Sequence, residues 1–329
     1  MSKNITITMV AEKSGVSKTT VSRFLNGHYS NMSKATKERI AQTIAELNYR
    51  PNRQAQALKS KRSHLIGVVV ADISNMYSTL LLKGIGEVLK EAGYQMIIMD
   101  AANSIEQEKD LLEKLIDQGV EGIILQPSSR YTEQYQFLNT HQIPLLLVDR
   151  QTDSMNWPLV TTNNVEATRK IIQEILKKGY KRVVVVSEPL RDVITREVRY
   201  QTVKEMVSIA GKQVDLIETN IETSLREKVL KIVKEPKKTA LFASNGRVLI
   251  ELLKILISEQ VKIPYSIGIT GYDDWNMTAL IGPGITSIEQ QSQLIGETAA
   301  NKMIESLQKG KHVVKEYIIP TKLQWRNSL

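Results

Sequence analysis

Cysteine is absent from the chain, which removes disulfides, thiolate nucleophiles and cysteine-based zinc or iron–sulfur sites from consideration. Only four histidines occur, His28, His64, His141 and His312, far apart and without the i, i+4 spacing of a helical zinc-hydrolase motif. Neither a metal nor a cofactor is expected. Residues 1–10 carry one lysine and no apolar core followed by small residues, unlike a secretory signal. No window approaches the roughly 18 uninterrupted apolar residues of a membrane span. A soluble, cytoplasmic protein is the expectation. A P-loop, a nucleophile elbow and a dinucleotide fingerprint are also missing: Gly84-Ile85-Gly86 lies in a helical pattern and lacks the third glycine. Nothing in the sequence asks for an enzyme.

What the body lacks in net charge, the first residues supply. Residues 1–64 hold twelve Lys or Arg against three Glu, whereas the rest of the 329 residues holds 32 basic and 32 acidic side chains. The whole formal excess of +9 therefore sits in the first fifth of the chain. Charge confined in this way is the footprint of a module that meets a polyanion, because each phosphate it neutralises releases condensed counterions. A basic solubilising tail is the competing explanation, and local patterning decides between them.

That patterning is helical. Val10 and Ala11, then Val16, Val21 and Leu25, recur at helical spacing around a break at Ser14-Gly15-Val16. Gly15 suits a positive φ and Ser17 is placed to cap a second helix. A third helix starts at the cap Ser33 and runs to about Leu47, with Ile40, Ile44 and Leu47 on one face. Helix, tight turn, helix, helix is the helix-turn-helix plan, in which the start of the second helix meets base edges in the major groove. Here that start offers Ser17, Lys18, Thr19, Thr20, Ser22 and Arg23, hydroxyls and long cations suited to phosphates and guanine edges. As an alternative, Ser17 and Thr20 simply cap the helix while Lys18 and Arg23 are solvated. Pro51 ends the third helix by disfavouring helix at Arg50, and Asn52 can cap a two-turn segment, Arg53 to Lys59, too short to be stable alone in water.

Together these stretches resemble the LacI/GalR family of bacterial repressors. The match is carried by Val10-Ala11-Glu12 through Gly15-Val16-Ser17, Thr20-Val21-Ser22-Arg23, Asn26-Gly27, Leu47-Asn48-Tyr49-Arg50-Pro51-Asn52 and Leu65-Ile66-Gly67-Val68. The resemblance implies a sequence-specific regulator, a repressor, acting as a homodimer on pseudo-palindromic operator DNA. It implies a DNA-binding set of Thr8, Ser17, Lys18, Thr19, Thr20, Ser22, Arg23, Asn26, Tyr49, Asn52, Ala55 and Leu58, with Lys18 and Thr19 reading bases. Leu58, on a hinge helix, is implied as an apolar wedge in the minor groove; plain helix packing is the other reading of Leu58.

From Leu65 onward apolar runs alternate with amphipathic stretches. The runs are 66–71, 95–100, 122–126, 145–149, 183–187, 241–243 and 267–272, separated by helical patterns such as 80–92, 106–117 and 165–178. This is repeated βαβ and predicts parallel sheets. The expected fold is α/β: an all-α helix-turn-helix head followed by a two-lobed body which, by the resemblance, folds like periplasmic sugar-binding proteins. The expected boundaries are 1–51 for the head, 52–64 for the hinge and linker, and 65–329 for the body, with lobes of about 65–161 plus 291–319 and 162–290.

Ligands of open parallel sheets bind beyond the carboxyl ends of the strands. Those ends carry Asp72, Asn75, Gln126, Asp149, Arg150, Ser187, Asn245, Asp273 and Asp274. By the resemblance, Asp149, Arg199, Asn245, Asp273 and Gln290 contact a small effector, with Gln126 beside them and Tyr77 packed on a sugar ring. Asp149 or Asp273 could instead cap the next helix. Departures from the family pattern, Asn75-Met76-Tyr77, Asn245-Gly246 and Thr202, leave the ligand open. Arg150, Arg196 and Arg199 fall on cleft-facing segments, and guanidinium forks suit carboxylates, so the effector is expected to be a sugar acid or sugar phosphate. Pairing of these arginines with Glu188, Asp192 or Glu197 is the rival account. The Asn26-Gly27-His28-Tyr29 loop and Asp149-Arg150 also resemble regulators of ketodeoxygluconate use. An enzyme, a transport-type sugar receptor and a non-specific DNA architectural protein are the remaining classes; the first lacks a motif, the second a signal peptide, and the third has no use for a large neutral body.

Overall fold

The computed structural model describes residues 5–30, 32–50, 62–219, 224–275, 277–310 and 313–329. The chain forms two compact units, residues 1–63 and 64–329.

In the first unit three helices follow one another: α1 (Ile7–Ser14), α2 (Lys18–Leu25) and α3 (Lys34–Glu46). Each begins at a hydroxyl cap. Thr6, Ser17 and Ser33 accept from the backbone N–H of Met9, Thr20 and Thr36 respectively. Gly15 takes the left-handed backbone, φ 64, that ends α1 and permits the tight turn. Val10, Ala11, Val21 and Ile40 form the buried centre, with Val16, Phe24, Ile44, Leu47 and Tyr49 packed around it. Ile44 and Leu47, expected on the buried face of α3, are only half-buried, because a unit this small cannot cover a whole helix.

The body contains two parallel sheets. The first has the order β11-β5-β4-β3-β1-β2 and uses β1 (Leu65–Val70), β2 (Gln95–Asp100), β3 (Gly122–Leu125), β4 (Leu145–Val148), β5 (Leu159–Thr162) and β11 (Glu316–Ile319). The second has the order β12-β10-β9-β8-β6-β7, from β6 (Arg182–Ser187), β7 (Gln213–Glu218), β8 (Thr239–Ala243), β9 (Gly268–Tyr272), β10 (Ser287–Glu289) and β12 (Lys322–Gln324), with β10–β12 its antiparallel pair. The chain passes between the lobes after β5, after β10 and again after β11. The last passage returns residues 322–324 to the second sheet, beyond the expected lobe limit at 319.

Helices cover both faces of each sheet, and their apolar stripes make the cores. On the first sheet, α4 (Met76–Glu91) and α11 (Ser292–Lys309) bury Leu81, Ile85, Ile295, Ala299 and Met303 against Val68, Ile124 and Leu146. The opposite face takes α5 (Ile105–Asp117) and the short α6 (Phe137–Thr140). On the second sheet, α7 (Asn164–Lys177) and α8 (Ile194–Ile209) cover one face, and α9 (Leu225–Val233) and α10 (Gly246–Ser258) the other.

Gly84 explains itself here. A Cβ on it would lie 2.1 Å from the carbonyl oxygen of Gln293, and one on Gly296 would lie 2.2 Å from that of Leu81. These two glycines let the backbones of α4 and α11 touch, so the first glycine of the Gly-Ile-Gly run serves helix packing. No described helix is long and apolar enough to cross a membrane.

Candidate functional site

The exposed start of α2 is the candidate nucleic-acid interface. Ser17 and Thr20 are tied to each other, with the Ser17 Oγ accepting from the Thr20 N–H at 3.1 Å and lying 2.9 Å from its hydroxyl. Both therefore have a capping role. Lys18, Thr19, Arg23 and Asn26 are exposed, and Thr8 and Ser22 are half-buried. Lys13 pairs with Glu46 at 2.8 Å, bracing α1 on α3. By contrast, neither Lys18 nor Arg23 has a carboxylate within pairing distance among the described residues, and no acidic residue occupies the first turn of α2. Lys18 thus stands in the first turn of a helix whose N-terminal dipole favours anions, and Arg23 lies in its last turn. Tyr49 rests against the head core, and burial raises its phenol above the ordinary value. Asn52, Ala55 and Leu58 lie outside the described residues.

In the body, one cleft between the lobes is lined by Tyr77, Gln126, Asp149, Arg150, Arg196, Arg199, Asn245, Asp273 and Gln290. All nine residues expected from the sequence meet there. Asn75, Glu188, Val193 and Thr195 complete the wall. The strand-end rule singles out Asn75 and stops one residue short of Glu188; Val193 and Thr195, at the start of α8, carry no signal in a single sequence.

Asp149 follows β4 with φ 62. Its carboxylate accepts from Gln126 Nε2 at 2.7 Å, and the other end of that amide accepts from the Ala71 N–H at 3.1 Å. Asp273 follows β9 with φ 69. It accepts from Gln290 Nε2 at 2.6 Å and from the Gly246 N–H, the first of α10, at 2.9 Å. Burial raises its pKa above the ordinary carboxylate value, and Arg199, Gln290 and Gly246 oppose that rise only in part. Arg199, 3% exposed, lies with its guanidinium 3.5 Å from the centre of the Tyr272 ring. It donates to Asn164 at 2.8 Å, to the Ser244 carbonyl at 2.6 Å and to Gln290 at 3.0 Å.

Asn245 caps α10 through its oxygen, accepting from the Val248 N–H, and donates through its nitrogen to Glu188 at 2.8 Å. Gly246 beside it makes room for Trp275: a Cβ there would lie 2.3 Å from the indole. Asp274, by contrast, turns away from the cleft onto Arg326, Ser287 and Thr278.

The Tyr77 hydroxyl is buried and, among the described residues, has no hydrogen-bond partner. Burial first, and then the nearby Asp149 and Asp273, push it well above the ordinary phenol range. It is a neutral donor waiting at the cleft floor.

The three arginines divide. Arg196 pairs with Glu188 at 2.6 Å, as the ion-pair account expects, and Glu197 pairs with Arg130 instead. Among the described residues, Arg150 donates to the Pro127 carbonyl and to Asn103, both at 3.3 Å. The enclosed space is about 40 Å³, room for at most a few waters. Admitting a sugar-sized ligand requires the lobes to part. Contacts that must then give way include the Asp72–Arg247 ion pair, Arg130–Glu197, and the Thr195 hydroxyl donating to the Asp149 carbonyl. Among the described residues no group of His, Asp and Glu stands ready to hold a metal.

A basic three-helix head joined to a two-lobed α/β body with a polar cleft between the lobes defines the class: a ligand-responsive DNA-binding regulator. The comparisons supply the family. Residues 6–52 match the model "Bacterial regulatory proteins, lacI family", and residues 63–327 match "Periplasmic binding proteins and sugar binding domain of LacI family". The HTH-type transcriptional regulator KdgR of Bacillus subtilis is 36% identical, with 98% of this chain and 97% of the relative covered. A ribose operon repressor of Halalkalibacterium halodurans is 30% identical over 98% and 96%. In fold the chain is similar to the lac repressor dimer bound to operator and an anti-inducer, with TM-score 0.86, 22% identity and 99% of each chain covered. The chain belongs to the lacI family, and it is a DNA-binding transcriptional regulator rather than an enzyme.

Proposed function

We propose that the chain is a homodimeric repressor whose two heads bind a pseudo-palindromic operator and whose cleft binds a sugar acid or sugar phosphate. One head alone buries little surface, and two-fold pairing doubles it. On this reading Lys18 and Thr19 meet base edges, and Arg23 and Ser22 meet phosphates. The cleft supplies Asp149, Asp273, Gln126 and Tyr77 to hydroxyls and Arg150 to the acidic group.

A single observation carries the acidic assignment. Arg150 lines the cleft with two long bonds to neutral acceptors and no carboxylate within pairing distance among the described residues. A guanidinium fork in that state is a ready carboxylate receptor. Ligand in the cleft alters the relative orientation of the lobes and thereby operator affinity, a coupling typically worth about 1–3 kcal/mol.

Isothermal titration of the full chain with neutral sugars, sugar acids and sugar phosphates tests the assignment. Saturable binding confined to acidic sugars supports it. Tight binding of neutral sugars alone sinks it.

A further inference from the structure

Glu188 follows directly on β6 and projects a carboxylate into the cleft wall. It accepts from Arg196 at 2.6 Å and from Asn245 at 2.8 Å, and lies 3.3 Å from Arg247, which in turn reaches across to Asp72. Arg196 and Arg247 therefore already have an anion between them. Arg199 uses each of its three nitrogens on Asn164, Ser244 and Gln290. Arg150 is left over.

We propose that Glu188 determines which acid the cleft accepts: by occupying Arg196 it leaves Arg150 as the open guanidinium, so the cleft takes a sugar bearing a single carboxylate and rejects a sugar phosphate. The proposal rests on the acidic-effector reading above and narrows it.

The physics is a matching of charges. A carboxylate carries one negative charge and two coplanar oxygens, which one guanidinium fork satisfies. A phosphate monoester carries a charge of about −1.5 to −2 near neutral pH and three acceptor oxygens, and it needs a second cation. In this cleft Glu188 holds Arg196 and neutral acceptors hold Arg199, while Asp149 and Asp273 also line the wall. A phosphate would meet those two carboxylates with one open arginine to receive it. Specificity by such like-charge opposition needs no contact that favours the correct ligand.

Crowding of cations supports the same picture. Burial, and then Arg150, bring the Arg196 guanidinium down to about 10, against the lift from Glu188 and Asp149. Glu188 thus balances a cluster that would otherwise draw in a second anion.

The test is titration calorimetry on the full chain, wild type and Glu188→Gln, with two matched pairs: D-gluconate against 6-phosphogluconate, and 2-keto-3-deoxygluconate against its 6-phosphate. Wild type is expected to bind the unphosphorylated member of a pair at least about tenfold more tightly. Glu188→Gln frees Arg196 and is expected to move that ratio toward the phosphate by about tenfold or more, whereas Glu188→Asp, which keeps the charge, moves it less. Parity within the pairs in wild type overturns the proposal whether or not the variants fold. So does a ratio unmoved in a Glu188→Gln protein that still melts cooperatively, and in both cases the acidic-effector reading stands. Binding of neutral sugars alone removes that reading and this proposal with it.

Discussion

Asp149 and Asp273 hold equivalent stations in the two lobes. Each is the first residue after the fourth strand of its sheet in chain order, and each has a left-handed backbone, φ 62 and 69. Non-glycine residues in that region carry a cost of about 1–3 kcal/mol, and such costs concentrate at functional sites. Each carboxylate is also fixed by a glutamine amide, Gln126 in one lobe and Gln290 in the other. The cleft is thus faced by two oriented acceptors, one from each lobe.

Arg199 balances the second of these through Gln290. Replacing it with alanine leaves the Gln290 and Ser244 oxygens without that donor, takes the nearby positive charge from buried Asp273, and removes the group stacked on Tyr272. Loss of one member of a buried charged set costs about 3–5 kcal/mol. Arg199→Ala is expected to lower thermal stability clearly and to weaken effector binding by about a hundredfold or more. Wild-type affinity in calorimetry would place the ligand elsewhere.

The α4–α11 contact gives a prediction independent of function. Gly84→Ala puts a methyl group 2.1 Å from a backbone oxygen that cannot rotate away. Overpacking typically costs about 1–3 kcal/mol, and a backbone neighbour places this variant at the top of that range or above. Urea unfolding of the purified body measures it. Gly86→Ala, which meets only the mobile end of Met96 at 3.3 Å, should be much milder.

In the head, Lys18 and Arg23 separate by kind of contact. Lys18→Ala is expected to cost about 1–3 kcal/mol of operator binding and to relax sequence preference at one position. Arg23→Ala should weaken all sequences alike and reduce the salt slope by about one. Fluorescence anisotropy over a salt series, on operator and on scrambled DNA, distinguishes them. Identical behaviour of the two variants would reject the division.

Much of this was legible because parallel sheets place their ligands at strand ends. Gln126, Asp149, Asn245 and Asp273 are found by walking off the end of an apolar run, whereas Tyr77, Arg199 and Gln290 needed the family resemblance. Other features leave little trace in one sequence. β7 (Gln213–Glu218) lies at a sheet edge and breaks its polar–apolar alternation at Leu216-Ile217, and β10 and β12 are three residues each, below what periodicity resolves. Glu188 reads equally well as a surface partner for arginine until the sheet places it in the cleft. Trp275 fills space that Gly246 leaves open, a complementarity between residues distant in sequence.

Glu108 is another such residue, a charged side chain in an amphipathic helix that proves to be 1% exposed. It accepts from the Tyr135 hydroxyl at 2.6 Å and the Ser128 N–H at 2.7 Å, yet burial outweighs these bonds and raises its pKa above the ordinary carboxylate value. A carboxyl that binds its proton more tightly when folded contributes stability below its unfolded value. That contribution is lost as pH rises through the folded value. Glu108→Gln has no such loss. Wild type should therefore lose stability relative to Glu108→Gln as pH rises across that window, followed by chemical unfolding at a series of pH values. A constant difference would contradict the assignment.

The central claim is that one chain couples DNA at the head to an acidic sugar in the cleft. Anisotropy of the full chain on DNA selected from its own genome, with and without 2-keto-3-deoxygluconate or D-gluconate, tests it most directly, with Arg150→Ala alongside. The account predicts a change in operator affinity of about 5–150-fold for wild type and a response largely lost in Arg150→Ala. An operator affinity indifferent to acidic sugars but shifted by a neutral one would contradict it.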